Sequence, residues 1–306
     1  MKYLEFYKKK GIKEEDVFDY LIKNLKSSVK IWEYFVNWKK VKASVNIFKV
    51  ELNILNSLIG SSNLEKEFVD LVVKYPNVVR VLPVLLAVRE SKLEVLRDYQ
   101  KGDLGYLNFD FNNTTKLSEK DAKLYYNFII ESGLINLFKD KTIKNFVDYV
   151  FGVEVGLDSN GRKNRGGTLM ENIVEVFIKK LVDSHDELAY MSQATPTKIK
   201  NLWDYDVKFN KSARSFDFAI YHIKKKKLFL LETNFYNGGG SKLKSVCGEF
   251  RSLHLELSKQ GLDLIWITDG LGWQSTKRPL EETFESNDYV FNLNMLQEGV
   301  LDEVVL

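Results

Sequence analysis

Two apolar runs joined by a block of lysines do most to limit what this chain can fold into. In "RSFDFAIYHIKKKKLFLLETNFYNGGGSKL", Arg214 to Leu243, the runs read as two β-strands and Lys224–Lys227 as the basic turn between them. If Lys224 and Lys225 form the turn, Ile223 pairs with Lys226, and counting outward sets Asp217 directly opposite Glu232. Directly opposed residues share a face of the sheet, with Cβ atoms about 5 Å apart. The two-residue period then puts Asn234 on that face and turns Thr233 away. A slip of one residue at the turn would break the alignment. After the glycines comes a helix from about Lys242 to Lys259, then a compact apolar strand, "LDLIWIT", Leu262 to Thr268. A crossover of that length suits a strand parallel to its predecessor. The expectation is an α/β fold: a mixed sheet with helices packed on it.

The remaining segments fill in around that core. "DVFDYLIKNL", "LEKEFVDLVVKY" and "EKDAKLYYNFIIE" carry apolar residues at helical spacing, and Ser62 with Glu65 and Ser118 with Asp121 resemble helix caps. The expected organisation is therefore an all-helical region over residues 1–145, followed by a sheet-bearing domain over 146–306. "KGDLGYLNFDFNNTT" reads as a polar connection, and "GVEVGLDSNGRKNRGG", Gly152 to Gly167, as a glycine-rich loop. A helix follows, "TLMENIVEVFIKKLVDS", with Leu169, Ile173, Val176 and Phe177 on one side; "YVFNL" reads as a short strand and the tail as a helix.

Composition removes several classes of function. A net charge of +3 announces no nucleic-acid partner by itself, so such a partner must be argued from local clusters. Cys247 is the only cysteine, which rules out an internal disulfide and a cysteine-cluster zinc site. His185, His222 and His254 have neither metal spacing nor a nearby nucleophile signature. "GGGSK" lacks the spacing of a phosphate-binding P-loop. The longest apolar run, "VLPVLLAV", is far too short to span a membrane, and "MKYLEFYKKKGIKEED" lacks the apolar centre of a signal peptide, so a cytoplasmic protein is expected. Trp203, Trp266 and Trp273 read as packing residues.

The chemistry lies in the acids. Asp217 and Glu232 at hairpin distance repel each other unless a positive charge sits between them. A divalent cation answers that need, and Mg²⁺ takes such oxygen ligands while keeping several waters. It would acidify a bound water and neutralise charge at a phosphoryl centre. The plain alternative is that a strand-end acid marks the exit into solvent and that Asp217 pairs with Arg214.

Four blocks in order, "GLDSNGRKNRGGTLME", "FDF", "ETNFYNGGGSKL" and "WITDGLGW", resemble the DpnII/MboI group of type II restriction endonucleases. That group belongs to the PD-(D/E)XK nuclease superfamily. The resemblance covers Gly152 to the end of the chain, with less distinctive agreement before it. It implies a PD-(D/E)XK core in which Asp217 and Glu232 bind the metal. In this superfamily a glutamate on the helix before the hairpin often joins them, which points to Glu171 in preference to Glu175. The chain departs from the superfamily pattern where Asn234 stands in place of a lysine. An Asn has no positive charge, although its carbonyl can bind a metal or position a water. Lys242 is the nearest candidate for a relocated lysine, the bland reading being a solvated first-turn lysine, and a second metal ion is another substitute.

"GRKNRGG" supplies Arg162, Lys163, Asn164 and Arg165 beside Glu171. Arg reads guanine edges, Asn adenine edges, and Lys holds phosphates, so these residues with Lys242 are the candidate DNA contacts. The resemblance implies a homodimer that cuts both strands of double-stranded DNA at unmethylated GATC, ahead of the G. It would leave 5′-phosphate ends and be blocked by a companion adenine methyltransferase. The alternatives are a non-catalytic DNA-binding protein on a degenerate nuclease fold, and a hydrolase using the acid pair without metal, such as a glycosidase.

Overall fold

The computed structural model describes the whole chain except Gly102, Asn113, Thr114, Asp140, Lys141 and residues 209–213, together with the side chains of Tyr99, Asp103, Lys163 and Asn164. It resolves into two compact units, Trp32–Arg162 and a second built from Met1–Ile31 with Lys163–Leu306. The division therefore differs from the one expected at 145/146.

The unit Trp32–Arg162 packs helices α1 (Trp38–Leu55), α2 (Leu64–Lys74), α3 (Glu119–Glu131) and α4 (Phe146–Asn160) around a core that includes Leu52, Phe68, Val72, Phe128, Phe146 and Val150. Ser118 and Asp121 form the capping box at the start of α3, as their spacing implies. Ser62 and Glu65 do not form the other: the N-cap of α2 is Asn63, and its side chain makes no capping bond. Nor is the region all-helical. Strands β1 (Lys92–Asp98) and β2 (Asp103–Asp110) form an antiparallel hairpin within it, so much of the supposed polar connection is a strand. The supposed glycine-rich loop is helical as well, ending α4 and opening α5 (Arg162–Asp183). Burial explains this: Glu154 and Asp158, one turn apart on α4, are both buried, Glu154 against the guanidinium of Arg89 and Asp158 accepting from the Asn37 backbone N–H at 3.0 Å. Those partners hold a helical face that the glycines alone would not favour.

In the second unit the sheet has the order β3-β4-β5-β6-β7, with β3 (Leu188–Ala194), β4 (Phe216–His222), β5 (Lys227–Phe235), β6 (Asp263–Asp269) and β7 (Tyr289–Phe291). β3, β4 and β5 are antiparallel neighbours, while β5, β6 and β7 run parallel. This is the mixed α/β sheet that the hairpin and crossover require. The ladder pairs Phe218 with Leu231 and His222 with Lys227, leaving residues 223–226 as the turn. One further step along the same register sets Asp217 against Glu232.

Helices α6 (Ser241–Ser258) and α7 (Lys277–Ser286) complete the framework. On α5 the buried stripe is Met170, Val174, Ile178 and Leu181, and Val176 is exposed, so the inward face is turned from the expected one. The first thirty-one residues belong to this unit. Phe6, Tyr7, Val17 and Leu21 lie in its core, and the buried Asp269 at the end of β6 accepts backbone N–H groups from Lys26 at 2.6 Å and Leu293 at 2.9 Å. A carboxylate accepting N–H groups from separate segments ties them together.

Candidate active site

The site forms where β4 and β5 stop pairing with each other, while Glu232 to Phe235 continue to pair with β6. Leu228 to Leu231 are buried, and Glu232 follows as the strand leaves the core. Burial pushes the Glu232 carboxyl up to about 8, helped by the negative charge of Asp217 and opposed by Arg214. Burial likewise raises Asp217, against hydrogen bonds from Thr233 that favour its ionised form. The Thr233 backbone N–H donates to Asp217 Oδ2 at 2.7 Å and its hydroxyl to the same atom at 3.0 Å. Strand alternation alone would turn Thr233 away, but beyond the last ladder pair the Asp217 carboxylate reaches it.

Arg214 supplies the compensating charge. Its guanidinium donates to Glu232 Oε1 at 3.3 Å and lies 3.8 Å from Glu249 of α6, over the ring of Phe216. The plain alternative for these acids pairs Arg214 with Asp217; in the structure Arg214 pairs with Glu232 instead. Its Nε is buried without a hydrogen-bond partner among the described residues. Buried acids that repel each other, one of them paired with a cation, are common at functional sites.

Glu171 approaches from α5. Its carboxyl is raised by burial and then by the charge of Asp217, so it feels the same negative field. Gln193 donates to Glu171 Oε2 at 3.0 Å. The β3–β4 ladder pairs Ser192 with Phe218 and Ala194 with Phe216, which leaves Gln193 level with Asp217, and its φ of 48° lies in the left-handed region. Non-glycine residues pay for that conformation in strain, which tends to collect at functional sites. Glu175 instead accepts from Tyr190 at 3.0 Å and pairs with Lys179.

Asn234 lies level with Thr268 of β6, whose hydroxyl donates to Asn234 Oδ1 at 2.5 Å. The loops that bear the site are interlocked. A Cβ on Gly270, at φ +104°, would come within 2.3 Å of the Tyr236 carbonyl oxygen, and one on Gly272 within 2.6 Å of the Gly238 oxygen. The segments "ETNFYNGGG" and "TDGLGW" therefore pack as one piece.

The remaining candidates stand elsewhere. Lys242 is exposed in the first turn of α6. Arg162 donates from Nε to the Phe35 carbonyl at 3.1 Å, and Arg165 is half-buried near the start of α5. Lys163 and Asn164 belong to the same helix rather than to a loop, and their side chains lie outside the described residues.

The donor set of Asp217, Glu232 and Glu171 is all oxygen, which suits a hard divalent cation. Among the described residues no group of three or more His, Cys, Asp or Glu is gathered closely enough to hold a metal ion. The acids thus share an electrostatic field without forming a closed cage. Mg²⁺ needs no such cage, since it is commonly held by one or two carboxylates together with waters and substrate phosphates.

The chain matches the model of the DpnII restriction endonuclease family over residues 17–303. It is 43% identical over 290 residues to the type II restriction enzyme MjaIII of Methanocaldococcus jannaschii, covering 94% of this chain and 99% of that protein. It is 39% identical to the type II restriction enzyme LlaDCHI of Lactococcus lactis subsp. cremoris, covering 96% of each. The type II restriction enzyme DpnII of Streptococcus pneumoniae is 34% identical, over 95% of this chain and 99% of that protein. The solved structure of MunI restriction endonuclease in complex with cognate DNA overlaps 37% of the chain at 16% identity and a TM-score of 0.25, a likeness too slight to inform the site. Agreement over nearly the full length defines the class, the type II restriction enzymes, which are site-specific deoxyribonucleases. Within that class the chain belongs to the DpnII restriction endonuclease family.

Proposed function

We propose that this protein is a Mg²⁺-dependent homodimeric endonuclease that cuts both strands of unmethylated GATC, ahead of the G, leaving 5′-phosphate ends. The observation that carries the reading is the pair of electrostatically coupled carboxylates, Asp217 and Glu232, at the open end of one hairpin in a family of site-specific nucleases. Asp217 and Glu232 would hold the cation, with Glu171 completing the acidic field. The bound cation supplies charge neutralisation at the scissile phosphate and an acidified water.

The chain's own residues do the rest. Two hydrogen bonds from Thr233 to one oxygen favour the ionised form of Asp217 against burial and fix the side chain, which leaves the other oxygen as its ligand atom. Arg214 balances Glu232 in the resting protein, and its shift toward Glu249 would release that carboxylate when a cation arrives. Arg162, Lys163, Asn164, Arg165 and Lys242 are assigned to base reading and phosphate contact. A two-fold symmetric target calls for a two-fold symmetric enzyme, hence the dimer. N6-methylation of adenine removes a donor hydrogen and adds bulk, so a companion methyltransferase would protect host DNA in a cytoplasmic setting. No described helix is long and apolar enough to cross a membrane.

Matched plasmids with and without adenine methylation at GATC, digested in Mg²⁺ and with their fragment ends sequenced, test the reading. Discrete fragments from the unmethylated plasmid alone, beginning at GATC, are expected. Equal cutting of both plasmids, or ends at another sequence, would overturn the specificity. Retention of DNA without cutting in any divalent metal would favour a non-catalytic binding protein instead.

A further inference from the structure

The motif position taken by Asn234 is governed by a buried relay that the sequence gives no hint of. Asn234 and Thr268 are register partners on parallel strands, so their side chains emerge from the same face. Thr268 is fully buried. Its Oγ1 lies 2.8 Å from Trp273 Nε1 and 2.5 Å from Asn234 Oδ1. The indole N–H is a donor only, so Trp273 gives its hydrogen to the Thr268 oxygen. A buried hydroxyl must also place its own single hydrogen, and the acceptor within reach is the Asn234 carbonyl oxygen. With the Asn234 oxygen facing Thr268, the donor inventory fixes the direction of both bonds.

We propose that Thr268 and Trp273 are positioning residues that lock the Asn234 amide with its carbonyl turned into the sheet and its NH₂ group offered to the substrate beside Glu232. The inference rests on the nuclease reading of this site. The working group at the motif's lysine position is then a neutral hydrogen-bond donor, not a metal-binding carbonyl. An amide NH₂ can donate to an anionic phosphate oxygen, but it exchanges no proton with substrate near neutral pH. Asn234 would thus stabilise developing charge without acting as a general acid or base. The fixed amide costs nothing to orient at the moment of reaction, which is the advantage of a relay anchored on a fully buried tryptophan.

Four variants of the full-length protein separate the possibilities. Asn234→Asp keeps an oxygen for Thr268 to donate to and loses the NH₂ group. Thr268→Ser keeps the relay, while Thr268→Val and Trp273→Phe break it at different links. Single-turnover cleavage of a GATC duplex should fall about tenfold or more in Asn234→Asp and Thr268→Val and stay within about threefold of wild type in Thr268→Ser. Duplex affinity measured without metal should change little in Thr268→Val. In the metal-free protein, the side-chain NH₂ resonances of Asn234, identified by their loss in Asn234→Asp, should shift in Thr268→Val and Trp273→Phe and hold in Thr268→Ser. Should Thr268→Val fail to fold, Asn234→Asp and Trp273→Phe carry the test. Asn234→Asp cutting at the wild-type rate, or needing less metal, would make the carbonyl the working atom and overturn the proposal, as would unmoved NH₂ resonances in the relay variants. Wild-type protein that cuts no duplex would defeat the nuclease reading instead, and the resonances would still report on the relay.

Discussion

Glu232 is the residue whose state the fold controls most strongly. Its ordinary value is 4.5 and burial beside Asp217 lifts it to about 8. Between those values the folded protein holds a proton that the unfolded chain has lost, so this group's contribution to stability falls as pH rises through the window. A bound cation favours the ionised carboxylate and reverses the penalty. In metal-free protein the melting temperature of wild type should therefore fall relative to Glu232→Gln between about pH 5 and pH 8. Added Mg²⁺ should raise it most at the alkaline end. Parallel pH profiles for the two proteins would show that Glu232 is not held as described. The register that sets Asp217 against Glu232 is legible in the sequence because strand period and turn position are local properties, whereas Glu171 is pointed to by the family resemblance alone. Thr233, Thr268, Gln193 and the partner of Arg214 are not legible there, because each contact forms between elements or beyond the last ladder pair.

Among the elements, the β4–β5 hairpin was readable from its lysine turn and apolar runs, and its register came out as counted. The β1–β2 hairpin was missed for the opposite reason. Most of β1 is exposed on both faces, so no alternation marks it, and β2 carries Asp, Gly and Asn in place of strand-forming residues. The glycines misled most between Gly152 and Gly167. At Gly152, Gly156, Gly166 and Gly167 the backbone is helical and a Cβ would meet nothing within 4 Å, so composition imitated a loop. Gly270 and Gly272 are the positions where glycine is demanded, because the loop after β6 presses against Tyr236 and Gly238. Gly270→Ala should cost about 2 kcal/mol or more in denaturant unfolding, since both φ and space forbid a side chain. Gly156→Ala, in α4, should be neutral or stabilising by up to about 1 kcal/mol. Equal effects of the two substitutions would contradict the interlocked-loop account.

The molecule as a whole is two compact units, and the chain enters the sheet-bearing one twice: residues 1–31 pack there before the chain builds the other. No composition shift marks that return. In the proposed dimer, symmetric cutting would assign one strand to each subunit. Mixed dimers of wild-type and Asp217→Ala subunits should therefore nick supercoiled plasmid and accumulate open circles, while wild-type dimers go on to linear product. Linear product without an open-circle excess would contradict one-strand-per-subunit cleavage.

The most direct measurement is digestion of unmethylated plasmid by wild type and by Asp217→Ala, each with Mg²⁺ and with a chelator. Discrete fragments are expected from wild type in Mg²⁺ alone, with Asp217→Ala still retaining the DNA. Cutting that survives the chelator, or that proceeds undiminished without the Asp217 carboxylate, would contradict a metal held by the paired strand-end acids.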